Sequence, residues 1–147
     1  MSEARIPVAI KLVTEIRDGG RKESTVMEEF GNLYERGNTQ VLKFTEHQED
    51  REDIQTMVTI QPEKISIKRS GAVQMHQIFR KKLSTESNYH HEYGVFHMDT
   101  FTDQIEYQSL SEGNKGRLFI SYQLTLNQEM TQRHRLTLTF KKEAPRT

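Results

Sequence analysis

The chain has 147 residues, 33% apolar and 29% charged, with Lys plus Arg equal to Asp plus Glu at 21 each. A formal net charge of zero lacks the basic excess on which long-range attraction to nucleic acid or an anionic membrane surface rests, so neither is an expected partner. With no cysteine there are no disulfides, thiolate metal sites or cysteine nucleophiles, and the length suits a single domain, residues 1–147, around one modest core.

The N-terminus, MSEARIPVAIKL, holds no apolar run of signal-peptide length, and no segment reaches transmembrane length. A soluble cytoplasmic protein is the expectation. From Ile6 to Ile16 the even positions are Ile6, Val8, Ile10, Leu12, Thr14 and Ile16, while Lys11, Glu15 and Arg17 fall between them. This period of two predicts a half-buried strand, ended by the turn Asp18-Gly19-Gly20. Val26 to Arg36 reads as a second strand, with Val26 and Phe30 on its apolar face and Glu28 between them, running into Gly37-Asn38. Val41 to Glu46 follows, with Leu42 read as facing outward.

The acidic stretch Glu46 to Asp53, EHQEDRED, lacks the spaced carboxylates and central glycine of an EF-hand and reads as a solvated loop. No segment makes a convincing helix: the best candidate, Gln48 to Met57, has only Ile54 and Met57 to form a stripe. Ile54, Thr56, Val58 and Ile60 also alternate as a strand, and Pro62-Glu63 turns the chain. Ile65, Ile67 and Arg69 share a face up to Ser70-Gly71. Val73, Met75 and Phe79 open the next strand, and Tyr89 to Met98 and Phe101 to Leu110 supply two more, the latter with Ile105 and Tyr107 on one face. Ser111 to Gly116, SEGNKG, is a loop of turn formers. Leu118, Ile120, Tyr122, Leu124 and Leu126 then alternate cleanly, Asn127-Gln128-Glu129 turns, and His134, Leu136, Leu138 and Phe140 alternate back.

About nine or ten strands joined mostly by short turns predict an all-β antiparallel meander. Closure removes exposed sheet edges, so an up-and-down β-barrel of about 8–10 strands is the leading architecture and a two-sheet sandwich the second.

Tyr93-Gly94-Val95-Phe96-His97-Met98, the stretch from Gly116 through Ile120-Ser121-Tyr122-Gln123-Leu124, and Arg135-Leu136-Thr137-Leu138 resemble the YwiB-like family of small uncharacterised bacterial proteins. The likeness runs over nearly the whole chain and is strongest in the last third. It implies a lipocalin-like (calycin) β-barrel whose interior can hold a molecule, and it implies no established activity. Members tend to carry Thr-Pro before the Tyr-Gly pair; here His91-Glu92 stands there, which argues against a family-wide site at those two residues.

Asn88 to Met98, NYHHEYGVFHM, concentrates three of the six histidines. In a straight strand His90 and His91 point apart, and His91 and His97 lie roughly 20 Å from each other, so one zinc ion cannot join them. His90 and Glu92 share a face but have no identifiable third ligand. No metal and no cofactor are therefore expected. No Gly-x-Ser-x-Gly elbow and no glycine-rich phosphate loop occurs, so an enzyme is the least favoured reading. Polar residues interrupt the inward face at Thr14, Glu28, Thr56, Arg69, Tyr107, Tyr122 and His134. Burying Glu28 or Arg69 costs several kcal/mol unless each is paired, as they would be with one another, or sits at a barrel mouth.

The leading expectation is a non-enzymatic barrel holding a small, partly apolar ligand in its lumen. Glu28, Thr56, Arg69, Tyr107, Tyr122 and His134 are its candidate lumen or mouth residues. The alternative is a filled barrel acting as a protein-interaction or homodimerisation module through outward Val13, Leu42 and Phe119.

Overall fold

The computed structural model describes residues 4–110 and 113–143. The ten strands are β1 (Ala4–Asp18), β2 (Arg21–Arg36), β3 (Thr39–Glu46), β4 (Ile54–Ile60), β5 (Ile65–Gly71), β6 (Gln74–Phe79), β7 (Ser84–His91), β8 (Gly94–Gln108), β9 (Lys115–Leu126) and β10 (Met130–Lys142). Each pairs antiparallel with its chain neighbours, and β10 closes on β1 to complete a barrel. Among the described residues there is no helix.

The Asp18–Arg21 hairpin forms where the Gly-Gly pair predicted it, with Gly19 at φ +62°. The final hairpin pairs Leu126 with Met130 across Asn127-Gln128-Glu129. Of the predicted SEGNKG loop, Ser111 and Glu112 lie outside the described residues, and Lys115 and Gly116 already belong to β9.

Gln48 to Met57, which held no convincing helix, is a loop to Asp53 followed by β4 from Ile54, and the alternate residues Ile54, Thr56, Val58 and Ile60 are all buried. Three local expectations are corrected. Tyr89 to Met98 is not one strand but a hairpin, because the chain folds back between His91 and Gly94, with Gly94 at φ +135°. The separation argued for His91 and His97 in a straight strand therefore does not hold; His97 lies opposite Asn88. In β2 the inward face is the odd one. The Asp18–Arg21 turn sets the register, so Met27 lies opposite inward Leu12 and Leu33 opposite Ile6, while Val26, Glu28 and Phe30 point outward and are exposed. In β3 the inward face is Gln40, Leu42, Phe44 and Glu46, and Leu42 is fully buried.

A bulge between Thr102 and Gln104 in β8 absorbs one residue. It shifts the buried face from Met98, Thr100 and Thr102 to Ile105 and Tyr107, and so keeps Tyr107 inside.

The interior divides into two parts. Val8, Leu33, Leu42, Ile60, Ile65, Phe79, Leu118, Ile120 and Phe140 fill one part completely. Gly116 makes room there: a Cβ on it would fall 2.3 Å from the Phe140 ring. The other part, below the β1–β2, β3–β4, β5–β6, β7–β8 and β9–β10 hairpins, encloses open space. The wall around it is interrupted by register between β2 and β3. β2 pairs with β1 along its whole length, but with β3 only from Gly31 opposite Phe44 to Arg36 opposite Thr39. Gly31 marks the point of departure, where a Cβ would lie 2.4 Å from the Lys43 carbonyl oxygen and 2.9 Å from Phe44 Cβ.

Candidate ligand-binding lumen

The open part of the lumen is a cavity of about 480 Å³. Its wall is mainly aliphatic and thioether: Leu12, Met27, Val58, Ile67, Met75, Met98, Leu124, Leu126, Leu136 and Leu138, with Phe44 and Phe96. These residues follow from strand alternation, since each faces inward on its own strand.

Glu46 and Arg69 are the charged side chains among the lining residues, and they pair with one another. Arg69 Nε donates to Glu46 Oε2 and Nη2 to Glu46 Oε1, both at 3.1 Å, while the Thr56 hydroxyl also donates to Glu46 Oε2. The three strands β3, β4 and β5 bring them together in register: Phe44 lies opposite Thr56, and Thr56 opposite Arg69. The side chains are 25% (Arg69) and 18% (Glu46) exposed, which places the pair at the rim rather than in the deep interior. A fork-to-carboxylate pair of this kind is geometrically specific and leaves the lumen neutral. Deeper in, Gln77 Nε2 donates to Thr100 Oγ1 at 3.0 Å.

Tyr122 is a buried lining residue held between rings, edge-on to Phe79 with centroids 4.9 Å apart and tilted over His134 at 5.0 Å. Burial pushes its phenol well above the ordinary value. Its hydroxyl meets His134 Nδ1 at 3.3 Å, and His134 Nε2 lies 3.1 Å from Gln132 Oε1. Because Gln132 Oε1 can only accept, His134 donates from Nε2 and Nδ1 accepts from Tyr122, which is the neutral tautomer. Burial lowers its pKa from 6.5 to about 4.

Of the residues expected to serve a ligand, Thr56, Arg69 and Tyr122 line the cavity together. His134 is buried inside the barrel but supports Tyr122 instead of lining the space. Tyr107 belongs to the filled part, stacked on Phe140 at 6.4 Å. Its hydroxyl is buried with no hydrogen-bond partner among the described residues, and burial followed by the charge of Glu35 pushes it up to about 12. Glu28 is on the outside, so the expected Glu28–Arg69 pair does not form and Glu46 takes its place. Glu46 was legible: it continues the alternation Leu42, Phe44, Glu46. Reading Leu42 as outward and Glu46 as the start of an acidic loop concealed it.

The histidine-rich stretch is dispersed by the β7–β8 hairpin. His91 stacks near Tyr89 and Tyr93, and Glu92 pairs with Arg51 of the β3–β4 loop at 3.0 Å. On the outer face His97 Nε2 is 3.3 Å from Asp99 Oδ1, and Glu86 lies opposite Asp99, so that one ligand atom from each of the three residues falls within 4.8 Å of the others. That set can offer three ligands to a divalent ion. In the structure the His97 ring bridges two acceptors, Asp99 from Nε2 and Asn88 Oδ1 at 3.4 Å from Nδ1.

A family model described as "Domain of unknown function (DUF1934)" matches residues 10–138, which span β1 to β10. The chain belongs to the DUF1934 family. It is 29% identical over 134 residues to the "Uncharacterized beta-barrel protein YwiB" of Bacillus subtilis (strain 168), covering 91% of this chain and 92% of that protein. The crystal structure of the B. subtilis ywiB protein superimposes with a TM-score of 0.83 at 26% sequence identity, covering 95% of this chain and 94% of that one. The resemblance read from the Tyr93–Met98 and Gly116–Leu124 stretches is thus borne out, and so is the antiparallel barrel.

Proposed function

We propose that this DUF1934 protein binds a small, uncharged, mostly apolar molecule in the open part of its lumen. The observation that carries this is the composition of the cavity: about 480 Å³ of space walled by aliphatic and thioether side chains, with its lining charges, Glu46 and Arg69, neutralising each other at the rim. A volume of this size accommodates a small organic ligand, and such sites combine an apolar wall with few orienting polar groups. An anion or cation entering a neutral lumen would lose hydration without gaining an unopposed counter-charge, so a neutral ligand fits better. Glu46 already accepts from Arg69 and Thr56, which leaves the remaining guanidinium N–H groups and the Gln77 amide to orient a carbonyl, ether or hydroxyl oxygen. The lipocalin-like placement of the barrel, a cytoplasmic location and a non-enzymatic role are parts of the same reading, by analogy of fold.

Titration with Nile red, an uncharged apolar dye, tests it. Saturable binding at one dye per chain is expected, and Met98→Trp, which narrows the space, should weaken it about tenfold or more while the protein stays folded. Absence of saturable binding, or equal binding by the narrowed variant, would sink the proposal.

A further inference from the structure

The edge of β2 that leaves the barrel above Gly31 has no strand beside it from Arg21 to Phe30 among the described residues. Over the same stretch Val26 and Phe30 are 61% and 66% exposed on the outer face. A long edge free of bulges and proline is a template for another strand, and proteins normally cover or blunt such edges. The two-residue turn makes Asp18 and Arg21 a hydrogen-bonded pair, so the peptide groups of the odd residues bond to β1. Those of Lys22, Ser24, Val26 and Glu28 point to the free edge.

We infer that this edge pairs with the same edge of a second copy of this chain, antiparallel about a two-fold axis at Thr25. The edge is self-complementary in charge. The edge carries Arg21 and Lys22 at one end and Glu28 and Glu29 at the other. Hydrogen bonding requires even residues to face even residues, so the available registers differ by steps of two. With Thr25 opposite its own copy, Lys22 faces Glu28, Arg21 faces Glu29, and Ser24 faces Val26. Every unlike-charge pair occurs twice by symmetry, on both faces of the sheet. Moving the axis to Val26 sets Glu23 against Glu29 and Lys22 against Phe30; moving it to Ser24 pairs none of the four charges. One register is therefore selected, with about eight backbone hydrogen bonds and the two Val26 side chains diagonal to each other across the seam. Lys22 also contacts Glu15 of its own chain at 3.3 Å, an exposed bridge that leaves its ammonium group free to donate again. Thr25 and Met27 line the lumen, so the second copy stands beside the gap between β2 and β3.

Sedimentation equilibrium of the full chain reads the result. The wild type should show a concentration-dependent monomer–dimer equilibrium. Lys22→Glu and Glu28→Lys should each weaken dimerisation about tenfold or more, since each turns two attractive cross-strand pairs into repulsive ones. An equimolar mixture of the two variants should dimerise again. In the mixed dimer the carboxylate introduced at position 22 of one chain meets the ammonium introduced at position 28 of the other, and the unmodified Lys22 meets the unmodified Glu28. Both changes are on the surface, and unchanged circular dichroism melts would confirm that folding is intact. A wild type that stays monomeric up to about 1 mM overturns the inference. So does a single variant that dimerises as well as the wild type, or a mixture that shows no recovery. None of these results depends on a ligand in the lumen, so the pairing and the binding proposal stand or fall separately.

Discussion

Replacing His134 by Gln should flatten the pH dependence of stability in a defined window. In the folded protein His134 is neutral, with Nδ1 occupied by the Tyr122 hydroxyl and Nε2 by Gln132, and its pKa is lowered to about 4 by burial from an ordinary 6.5. Between those values the unfolded chain takes up a proton that the folded chain refuses, so protonation favours unfolding as pH falls from about 6.5 to about 4. The separation of about 2.5 units, at 1.36 kcal/mol per unit, corresponds to about 3 kcal/mol lost across the window. Above pH 7 the wild type should be the more stable by about 1 kcal/mol, the ordinary net value of the Tyr122 hydrogen bond. At pH 4 the order should reverse. Urea unfolding followed by circular dichroism at several pH values between about 7.5 and 4 measures both curves. Carboxylates titrating near pH 4 affect both proteins alike and cancel in the difference. Parallel curves would refute the reasoning, because they would mean that His134 binds its proton equally in both states.

Arg69→Met leaves Glu46 at the lumen rim with only Thr56 as partner and should cost about 2 kcal/mol, most of it recovered in Glu46→Gln/Arg69→Met; additive losses in a double-mutant cycle would show that the pair is not coupled. Leu124→Asp puts a charge on the buried face of β9 and should cost about 3 kcal/mol, whereas Thr125→Asp next to it should stay within about 0.5 kcal/mol; equal melting temperatures would contradict the assigned alternation. Gly116→Val drives its side chain into the Phe140 ring and should cost about 1–3 kcal/mol or more by thermal melt, with an unperturbed variant contradicting the filled half.

Where strands are half-buried and their turns carry glycine, asparagine or proline, the sequence was readable. β1, β9 and β10 show clean alternation, and the Asp18–Arg21 and Leu126–Met130 hairpins follow from their turn residues. β2 was misread because it exposes Val26 and Phe30 at the free edge while its inward face carries Met27, Glu29 and Gly31; apolar pattern alone picks the wrong side there. Only the register to β1, fixed by the turn, decides it. That one slip is what placed Glu28 among the lumen candidates, since a one-residue shift in a strand moves every side chain to the other face. The misreading of β3 hid Glu46 for the same reason. Thr56, Arg69 and Tyr122 were found because polar residues on an otherwise apolar face stand out, but their convergence depends on cross-strand register that no local pattern encodes. Alternation puts His134 and Tyr107 on the inward face, and His134 is buried rather than at a mouth, yet which part of the interior is filled depends on packing volumes across the barrel, such as Phe140 over Gly116.

The most direct test of the lumen as a binding site is native mass spectrometry of the protein purified gently from its own cells, set against its denatured mass. An added mass of a small uncharged organic molecule is expected, one that disappears on denaturation and is depleted in Met98→Trp purified in the same way. A species at the bare chain mass, or an added mass that Met98→Trp retains at undiminished occupancy, would contradict the lumen as the binding site.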